Sequence, residues 1–321
     1  MGKKHFPYKI CIPYPEHARG GMYTFLSYFK DYLRNNNIAF TRNMLLRYDI
    51  LFINSFMTIT RRYCNWIWFA KLRIAKLLYP DIFIVHRIDG SAQDYGRGVE
   101  WDQLQRRINK MADLTIFQSQ YGKYATREKF DVIVHDGPVI YNPVDTTLFK
   151  PYHENPLASS RAKIAHISYS TNIKKGVDQI FQVAHENHDI DFILIGKYKN
   201  QPDLKNVRFT GHLSREEVAR ILGTCHFFLF FSQNESCPNV VLEAMASGLP
   251  VLYLDSGGTA ELVGDTGMTI TTETFREAFE KIWHNWHDWS KTTRARTENT
   301  FSINKIIPEY LNAISALKRQ Q

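Results

Sequence analysis

Cysteine is scarce in this 321-residue chain, and that scarcity excludes several kinds of structure. The four cysteines, at positions 11, 64, 225 and 237, show no paired spacing. Zinc motifs and disulfide frameworks both require regularly spaced cysteines, so we expect neither of them. Free thiols in a reducing compartment are the expected state.

Long apolar runs and targeting segments are also lacking. No run approaches the roughly 20 residues that a membrane-spanning helix needs. The first residues, MGKKHFPYKICIPYP, include basic side chains but lack the apolar core of a secretory signal. Phe6 stands where an N-myristoylation motif that begins at Gly2 has Ser or Thr. We therefore expect a cytoplasmic protein that would meet a membrane only at its surface.

Two nucleotide-binding fingerprints are missing as well. The chain has neither a G-x-G-x-x-G loop nor a Walker A loop, which argues against a nicotinamide dehydrogenase and a P-loop kinase. What is present is a globular composition, with 44% hydrophobic and 22% charged residues, and enough length for two domains. The net charge of +8 suits an anionic partner such as nucleotide phosphates, nucleic acid or a lipid surface.

Short apolar runs alternate with helix-like segments along the whole chain. The runs are nearly continuous in Ile, Val and Phe, which predicts strands buried on both faces, as in a parallel sheet. The strand candidates are residues 8–14, 48–55, 81–90, 114–120, 131–145, 163–170, 191–198, 226–232 and 250–258. Strands and helices in this alternation predict an α/β protein with two doubly wound sheets.

The boundary between the halves falls in the proline-containing segment 141–161. We predict a first domain over 1–150, a second over 151–305, and a C-terminal helix over 306–321 that packs back on the first domain. The tail as a whole predicts two or three helices, of which the last is amphipathic.

The stretch SQNESCPNVVLEAMASGLPV (232–251) predicts a strand end followed by a short helix over 238–247. Pro238 suits the first helical position and Ser236 the N-cap. Such a helix start offers free N–H groups and a positive dipole end to an anion, and the amides of Asn239 and Val240 are the natural donors.

Two glutamates flank this helix start. Glu243 shares the helix face of the two amides, so it suits hydroxyls beside a phosphate, such as those of a ribose. Glu235 precedes the helix and would meet what lies on the other side of the phosphate. Acids also occur near helix starts simply because the dipole favours them. Two further strand-end loops, at 255–262 and at 172–176, favour a site, and the second of them presents Lys174 and Lys175.

Several segments together resemble one family. ESCPNVVLEAMASGLPVLYLDSGGTAELV resembles the donor-binding signature of glycosyltransferase family four, the retaining group 1 glycosyltransferases. VIYNPVDTTLFKP is similar to that family's interdomain segment, and KKGVDQIFQVA to its Lys-Gly helix. ARGGM, HRIDG and ADLTIFQSQYGKYA are similar to first-domain segments. The resemblance implies a GT-B fold, with two Rossmann-like domains facing a central cleft.

The resemblance also implies roles for the residues of the second domain. Glu235 would bind donor-sugar hydroxyls beside the reacting carbon, and Glu243 would bind the ribose. The diphosphate would be held by the amides at Asn239 and Val240 and neutralised by Lys175. The family usually has a basic residue where this chain has Ser168 and Tyr169. Either Lys174 supplies that charge, or phosphate binding is weaker than usual.

In the first domain, Gly20 and Gly21 would approach the diphosphate, and His86 would lie near the transferred sugar. His86 and Asp89 could also be a catalytic pair or metal ligands, and a structural role at a strand end is an equal alternative. With Arg87 they are our prediction for the acceptor side. His284 and His287 lack partners that would suggest a metal.

Residues 61–78 combine five basic side chains with Trp66, Trp68 and Phe69. This pattern fits an interfacial helix on anionic lipid, or a helix that packs its aromatic face on the sheet.

The function implied is retaining transfer of a hexose-type sugar from a UDP- or GDP-linked donor to a glycan or lipid-linked acceptor, without a metal or other cofactor. A same-fold epimerase or hydrolase remains an alternative. A nucleic-acid-binding protein is suggested by charge alone, without an RNA-binding aromatic motif, so we expect no nucleic-acid partner.

Overall fold

The computed structural model describes residues 6–15, 20–55, 64–152 and 161–317, and it omits the side chains of residues 64–69. The chain divides into two compact units. The first comprises residues 1–142 together with 306–321, and the second comprises residues 143–305.

A parallel sheet forms the centre of the first unit. Its strands are β1 Ile10–Cys11, β2 Phe40–Thr41, β3 Ile50–Asn54, β4 Phe83–Ile88 and β5 Leu114–Phe117. They lie in the order β2-β1-β3-β4-β5, and each pairing is parallel. Every residue of β3 is buried, as expected for a strand that is covered on both faces.

Helices cover this sheet and build its core. They are α1 Gly21–Asn35, α2 Cys64–Leu78, α3 Val99–Asn109 and α4 Gln120–Tyr124, which continues into a π-helical turn over Ala125–Lys129. Phe29 of α1 packs on Phe52 of β3, with ring centroids 5.0 Å apart. The ring of Phe25 lies 5.0 Å from that of Tyr310, a residue of the C-terminal helix. Aromatic packing thus joins the two ends of this unit's sequence.

A second parallel sheet forms the centre of the second unit. Its strands are β6 Lys163–Ser168, β7 Asp191–Gly196, β8 Val207–Gly211, β9 Phe227–Phe230, β10 Val251–Tyr253 and β11 Gly267–Thr269. They lie in the order β11-β10-β9-β6-β7-β8, again with parallel pairings. The chain order therefore reverses between β6 and β9. In open α/β sheets, ligands bind at such a switch point, outside the carboxyl ends of the strands.

A helix follows each strand of the second unit except β7. The helices are α5 Val177–Glu186, α6 Arg215–Leu222, α7 Asn239–Ala246, α8 Thr259–Val263, α9 Phe275–Trp283, α10 Trp286–Thr300 and α11 Ile303–Leu317, which continues into the first unit. The predicted α/β class is confirmed, and the tail, for which the sequence predicts two or three helices, forms three. Cys11, Cys225 and Cys237 are buried free thiols.

One predicted strand, over residues 131–145, is wrong. This segment forms only isolated bridges, Phe117 with Val139 and Val144 with Ser302. It runs against β5, where Phe117 N donates to Pro138 O at 3.0 Å and Ile140 N donates to Phe117 O at 2.8 Å. Prolines at 138 and 143 cannot donate to a ladder, so the apolar residues between them do not extend the sheet.

Candidate functional site

Three loops of the second unit follow the carboxyl ends of three adjacent strands, β6, β9 and β10. Main-chain bonds join them: Gln233 N donates to Lys174 O at 2.8 Å, and Gly258 N donates to Glu235 O at 2.8 Å. The three loops therefore lie together at the carboxyl ends of these strands.

Two glycines permit this close seating. Gly176 has a φ of 65°, and a Cβ placed on it would lie 2.5 Å from Phe231 O. Gly257 has a φ of 71°, and its Cβ would lie 2.4 Å from Glu235 O. Both positions require a left-handed backbone and leave no room for a side chain. Gly257 therefore supports the backbone that carries Glu235.

Helix α7 begins one residue later than predicted. Pro238 is its N-cap, with a ψ of 114°, and not its first helical residue, while Ser236 lies two residues before the cap and is buried. The extended ψ of Pro238 lets its carbonyl accept from Val241 N at 3.1 Å. The first helical residues are Asn239 and Val240, so their amides stand at the helix start as the sequence predicts.

Gly248 stands at the C′ position, where it closes the C-terminal end of α7. Gly248 has a φ of 78°, its N–H donates to Met245 O at 2.9 Å, and Leu249 N donates to Ala244 O at 3.1 Å. These two bonds form a Schellman motif.

Lys175 and Glu235 form an ion pair between the loops after β6 and β9, with Nζ in contact with Oε1. The side chains are 28% and 16% exposed, so the pair is recessed but open to solvent. Lys174 lies beside it and is half-buried. The two groups that the resemblance assigns to phosphate and to sugar are thus neighbours, each holding the other's charge.

Glu243 lies one helical turn into α7, where its side chain is 13% exposed. Desolvation raises the pKa of its carboxyl to about 7, and the Arg215 guanidinium lowers that pKa in part. Arg215 Nη2 lies 3.5 Å from Glu243 Oε1, and the guanidinium lies over the Phe149 ring. Arg215 was not singled out from the sequence, where it reads only as the first residue of α6 after the capping box of Ser214.

Tyr169, together with Ser168, stands where the resemblance predicts a basic residue. Its side chain is 45% exposed, and its ring lies edge-on to His212 at 4.9 Å. Desolvation raises the pKa of Tyr169, the Glu243 charge adds to that rise, and the Arg215 charge opposes it. Ser168 is buried and donates to Ser170 O at 3.0 Å. The aromatic ring of Tyr169 and the cationic Arg215 therefore both lie near Glu243.

In the first unit, the predicted glycine loop leads into α1. Gly20 is the N-cap, with a φ of 117°, and Gly21 is the first helical residue. No atom of the described residues would come within 4 Å of a Cβ on Gly20, so its backbone conformation, and not crowding, favours glycine. The preceding residues of the motif, Ala18 and Arg19, lie outside the described residues.

His86 is fully buried in β4 and has both ring nitrogens engaged. Nε2 lies 3.0 Å from Ser55 O, so it carries the proton, and Asn109 Nδ2 lies 3.4 Å from Nδ1. Burial lowers the pKa of His86 to about 4. These are the contacts of a structural histidine, which is one of the alternatives that the sequence left open.

Arg87 is 1% exposed and binds several elements of the first unit at once. Its Nε donates to Tyr310 Oη at 2.9 Å, and its other nitrogens donate to Asp89, Asn54 and Asn142. The guanidinium also lies 3.7 Å from the centroid of the Phe25 ring. Each guanidinium nitrogen of this predicted acceptor-side residue therefore donates a hydrogen bond within the first unit.

Asp89 is 31% exposed at the carboxyl end of β4. Asn54, Gln118 and Arg87 donate to its carboxylate. Desolvation raises the pKa of this carboxyl, and the Arg87 charge is the largest opposing effect. Of the three predicted acceptor-side residues, Asp89 is the one whose side chain is partly exposed.

Neither a metal cluster nor a membrane span emerges from the part of the chain described here. No group of three or more His, Cys, Asp or Glu side chains there is placed to hold a metal ion. His284 is exposed, and its Nδ1 lies 3.1 Å from Glu280 O. Among the described residues, no helix is both long and apolar enough to cross a bilayer.

Residues 164–285 match the family model described as Glycosyl transferases group 1. A GDP-mannose-dependent alpha-mannosyltransferase of Mycolicibacterium smegmatis is 26% identical over 212 residues, which cover 59% of this chain and 53% of that protein. An alpha-1,6-glucosyltransferase of Actinobacillus pleuropneumoniae is 29% identical over 138 residues, 43% of this chain and 36% of that protein. The chain spans about half or less of the length of these curated relatives.

Solved structures resemble the whole chain more closely in fold than in sequence. The Anabaena protein Alr3699/HepE, in complex with UDP-glucose, has a TM-score of 0.72 at 16% identity, covering 96% of this chain and 100% of that one. A sucrose-phosphate synthase from Thermosynechococcus elongatus has a TM-score of 0.68 at 17% identity, covering 96% and 82%. The fold is GT-B, with two Rossmann-like units.

Proposed function

We propose that this protein, whose residues 164–285 match the model of the group 1 glycosyl transferases, is a retaining glycosyltransferase. It would move a hexose-type sugar from a UDP- or GDP-linked donor to a glycan or lipid-linked acceptor. The observation that carries the proposal is the placement of Lys175, Glu235 and the start of α7 at one strand edge. We keep both UDP and GDP because one similar protein is named as GDP-mannose-dependent and another was solved in complex with UDP-glucose.

Donor binding would exchange the partners of the ion pair. A diphosphate carries about two negative charges and forms stronger charge-assisted bonds with an ammonium group than one carboxylate does. Lys175 would therefore turn from Glu235 to the phosphates, beside the amides of Asn239 and Val240. Glu235 would then be free to accept hydrogen bonds from the sugar hydroxyls.

Glu243 would accept hydrogen bonds from the ribose hydroxyls. Its raised pKa means that the carboxyl is only partly ionised near neutral pH, so it would not strongly repel the neighbouring phosphates. Arg215 contacts the same carboxyl through Nη2, which lies 3.5 Å from Oε1. The ribose would therefore compete with Arg215 for Glu243.

The chemistry needs charge stabilisation more than a protein nucleophile. The bond from the anomeric carbon to the diphosphate oxygen breaks, and a bond to the acceptor oxygen forms on the same face. The acceptor's proton passes to the leaving phosphate oxygen. Helix-start amides and Lys175 would stabilise the developing negative charge, and we include metal independence in the proposal on that ground.

A hydrolysis screen across UDP- and GDP-sugars tests the proposal. Glu235→Ala should retain nucleotide binding but lose release of the sugar, whereas Lys175→Ala should lose both. Glu280→Ala is a matched control, because it removes an acid from the exposed Arg276–Glu280 pair on α9. If Glu235→Ala hydrolysed the preferred donor as fast as the wild type, its assigned role would be wrong. Free sugar as the sole product with every acceptor would favour the hydrolase alternative.

A further inference from the structure

The first unit exposes five large apolar side chains on two segments that are in contact. Leu45 and Leu46 lie in the loop between β2 and β3, with 51% and 50% of their surfaces exposed. Ile74, Leu77 and Leu78 lie at the C-terminal end of α2, with exposures of 45%, 82% and 56%. We call these five residues the leucine surface.

The two segments are held together at their base. Tyr79 Oη donates to Leu45 O at 3.2 Å, and the rings of Tyr48 and Tyr79 lie 6.2 Å apart. The loop leads into β3 and the helix into β4, which are neighbouring strands. The leucine surface therefore lies at the amino-terminal edge of the sheet, away from the edge that carries Asp89.

Helix α2 presents this surface on one side only. Leu72 and Ala75 are buried against the unit, whereas Ile74, Leu77 and Leu78 recur at the spacing of one helix face on the solvent side. A helix that packs on a sheet normally turns polar residues to solvent on its outer face. The outer face of α2 is instead apolar, with basic residues beside it. The helix therefore has one apolar face toward the unit and a second apolar face toward solvent.

The charge on the two segments that carry the leucine surface has one sign. Arg42 and Arg47 flank the leucines of the loop, and Lys71 and Arg73 precede Ile74 on the helix; all four are exposed. Lys76 is half-buried, with its Nζ 4.0 Å from Asp113. Residues 42–48 and 70–79 contain these five basic residues and no acidic one. A second copy of the same surface would meet like charges, whereas an anionic bilayer offers both acyl chains and opposite charge.

We propose that the leucine surface docks this protein on an anionic lipid membrane. The leucines would enter the boundary between headgroups and acyl chains, and Arg42, Arg47, Lys71 and Arg73 would bind the headgroup phosphates. This inference goes beyond the proposed function, because the leucine surface lies at the opposite edge of the sheet from Asp89. It adds the 42–48 loop to the helix, and it does not depend on the donor chemistry.

Co-sedimentation of the full chain with vesicles tests this docking. Vesicles of equal parts phosphatidylcholine and phosphatidylglycerol should bind the protein at low salt, pure phosphatidylcholine should not, and added salt should weaken binding. Leu77→Glu should weaken binding by about tenfold or more, because one charge replaces an inserted apolar side chain. Val99→Glu is the matched control, since Val99 is 50% exposed on α3 of the same unit, and this variant should bind like the wild type.

Three results would overturn the docking proposal. They are failure of the wild type to bind anionic vesicles, equal binding by Leu77→Glu, and self-association that Leu77→Glu abolishes without any vesicle binding. Thermal unfolding of Leu77→Glu should match that of the wild type, because Leu77 is 82% exposed. Hydrolysis of a water-soluble donor, measured alongside, should be unchanged in this variant. Loss of vesicle binding with intact hydrolysis separates failure of the docking proposal from failure of the proposed function.

Discussion

Replacing Gly257 by alanine tests whether the turn after β10 supports the backbone of Glu235. The left-handed φ of 71° costs a non-glycine residue about 1–2 kcal/mol. The new Cβ would also lie 2.4 Å from Glu235 O and 2.7 Å from Glu235 N, so the two loops must move apart. Such overpacking costs about 1–3 kcal/mol, and it strains the bond from Gly258 N to Glu235 O. We expect the free energy of unfolding of Gly257→Ala to be lower than that of the wild type by about 2–5 kcal/mol.

Gly211→Ala is the matched control for the unfolding measurement. Gly211 has nearly the same φ, 72°, but no atom of the described chain would lie within 4 Å of its Cβ. Urea unfolding should therefore show a loss of about 1–2 kcal/mol in this variant, from backbone strain alone. Gly257→Ala should be less stable than Gly211→Ala, and it should also bind the donor more weakly. Equal stability of the two variants would refute the seating of the 255–258 turn on Glu235.

Three further predictions concern buried ionisable groups. Between pH 4.5 and about 7, the folded protein holds the Glu243 proton more tightly than the unfolded chain does. The free energy of unfolding should therefore fall by up to about 3 kcal/mol as the pH rises through this range. Urea unfolding of Glu243→Gln, measured over the same range, should not show this pH dependence. Arg87→Met should cost about 3–5 kcal/mol in urea unfolding, because it strands buried partners of the guanidinium; a loss under 1 kcal/mol would contradict that. His86, with a pKa of about 4, should stay neutral at pH 5.5 by NMR, and it should destabilise the fold as pH falls from about 6.5 to 4; a signal that titrates near pH 6.5 would refute its burial.

The sequence predicts the central strands because their residues are buried on both faces. The three strands that it does not indicate are β2, β8 and β11, and each lies at the edge of its sheet. Edge strands have one solvent-exposed side, so β8 and β11 lack a continuous apolar run. Residues 131–145 show the converse error, because their apolar residues pack against β5 while the prolines prevent a ladder.

The candidate site is predictable where it depends on local sequence and not where it depends on pairing across loops. Strand ends, the start of α7 and the glycine turns carry local signals, so Lys175, Glu235 and Glu243 are found from the sequence. The contact between Lys175 and Glu235 joins residues far apart in the chain, and residue types alone do not predict it. The approach of Arg215 to Glu243 is missed for the same reason. The hydrogen bond from Arg87 to Tyr310 is also missed, because it depends on the return of α11 to the first unit.

Titration calorimetry with UDP, GDP and their sugars in physiological salt tests the central claim most directly. We predict that one nucleotide and its sugar bind to the wild type, and that Lys175→Ala abolishes this binding while Glu280→Ala does not. The absence of any nucleotide-sugar binding, together with tight binding of nucleic acid, would contradict the account.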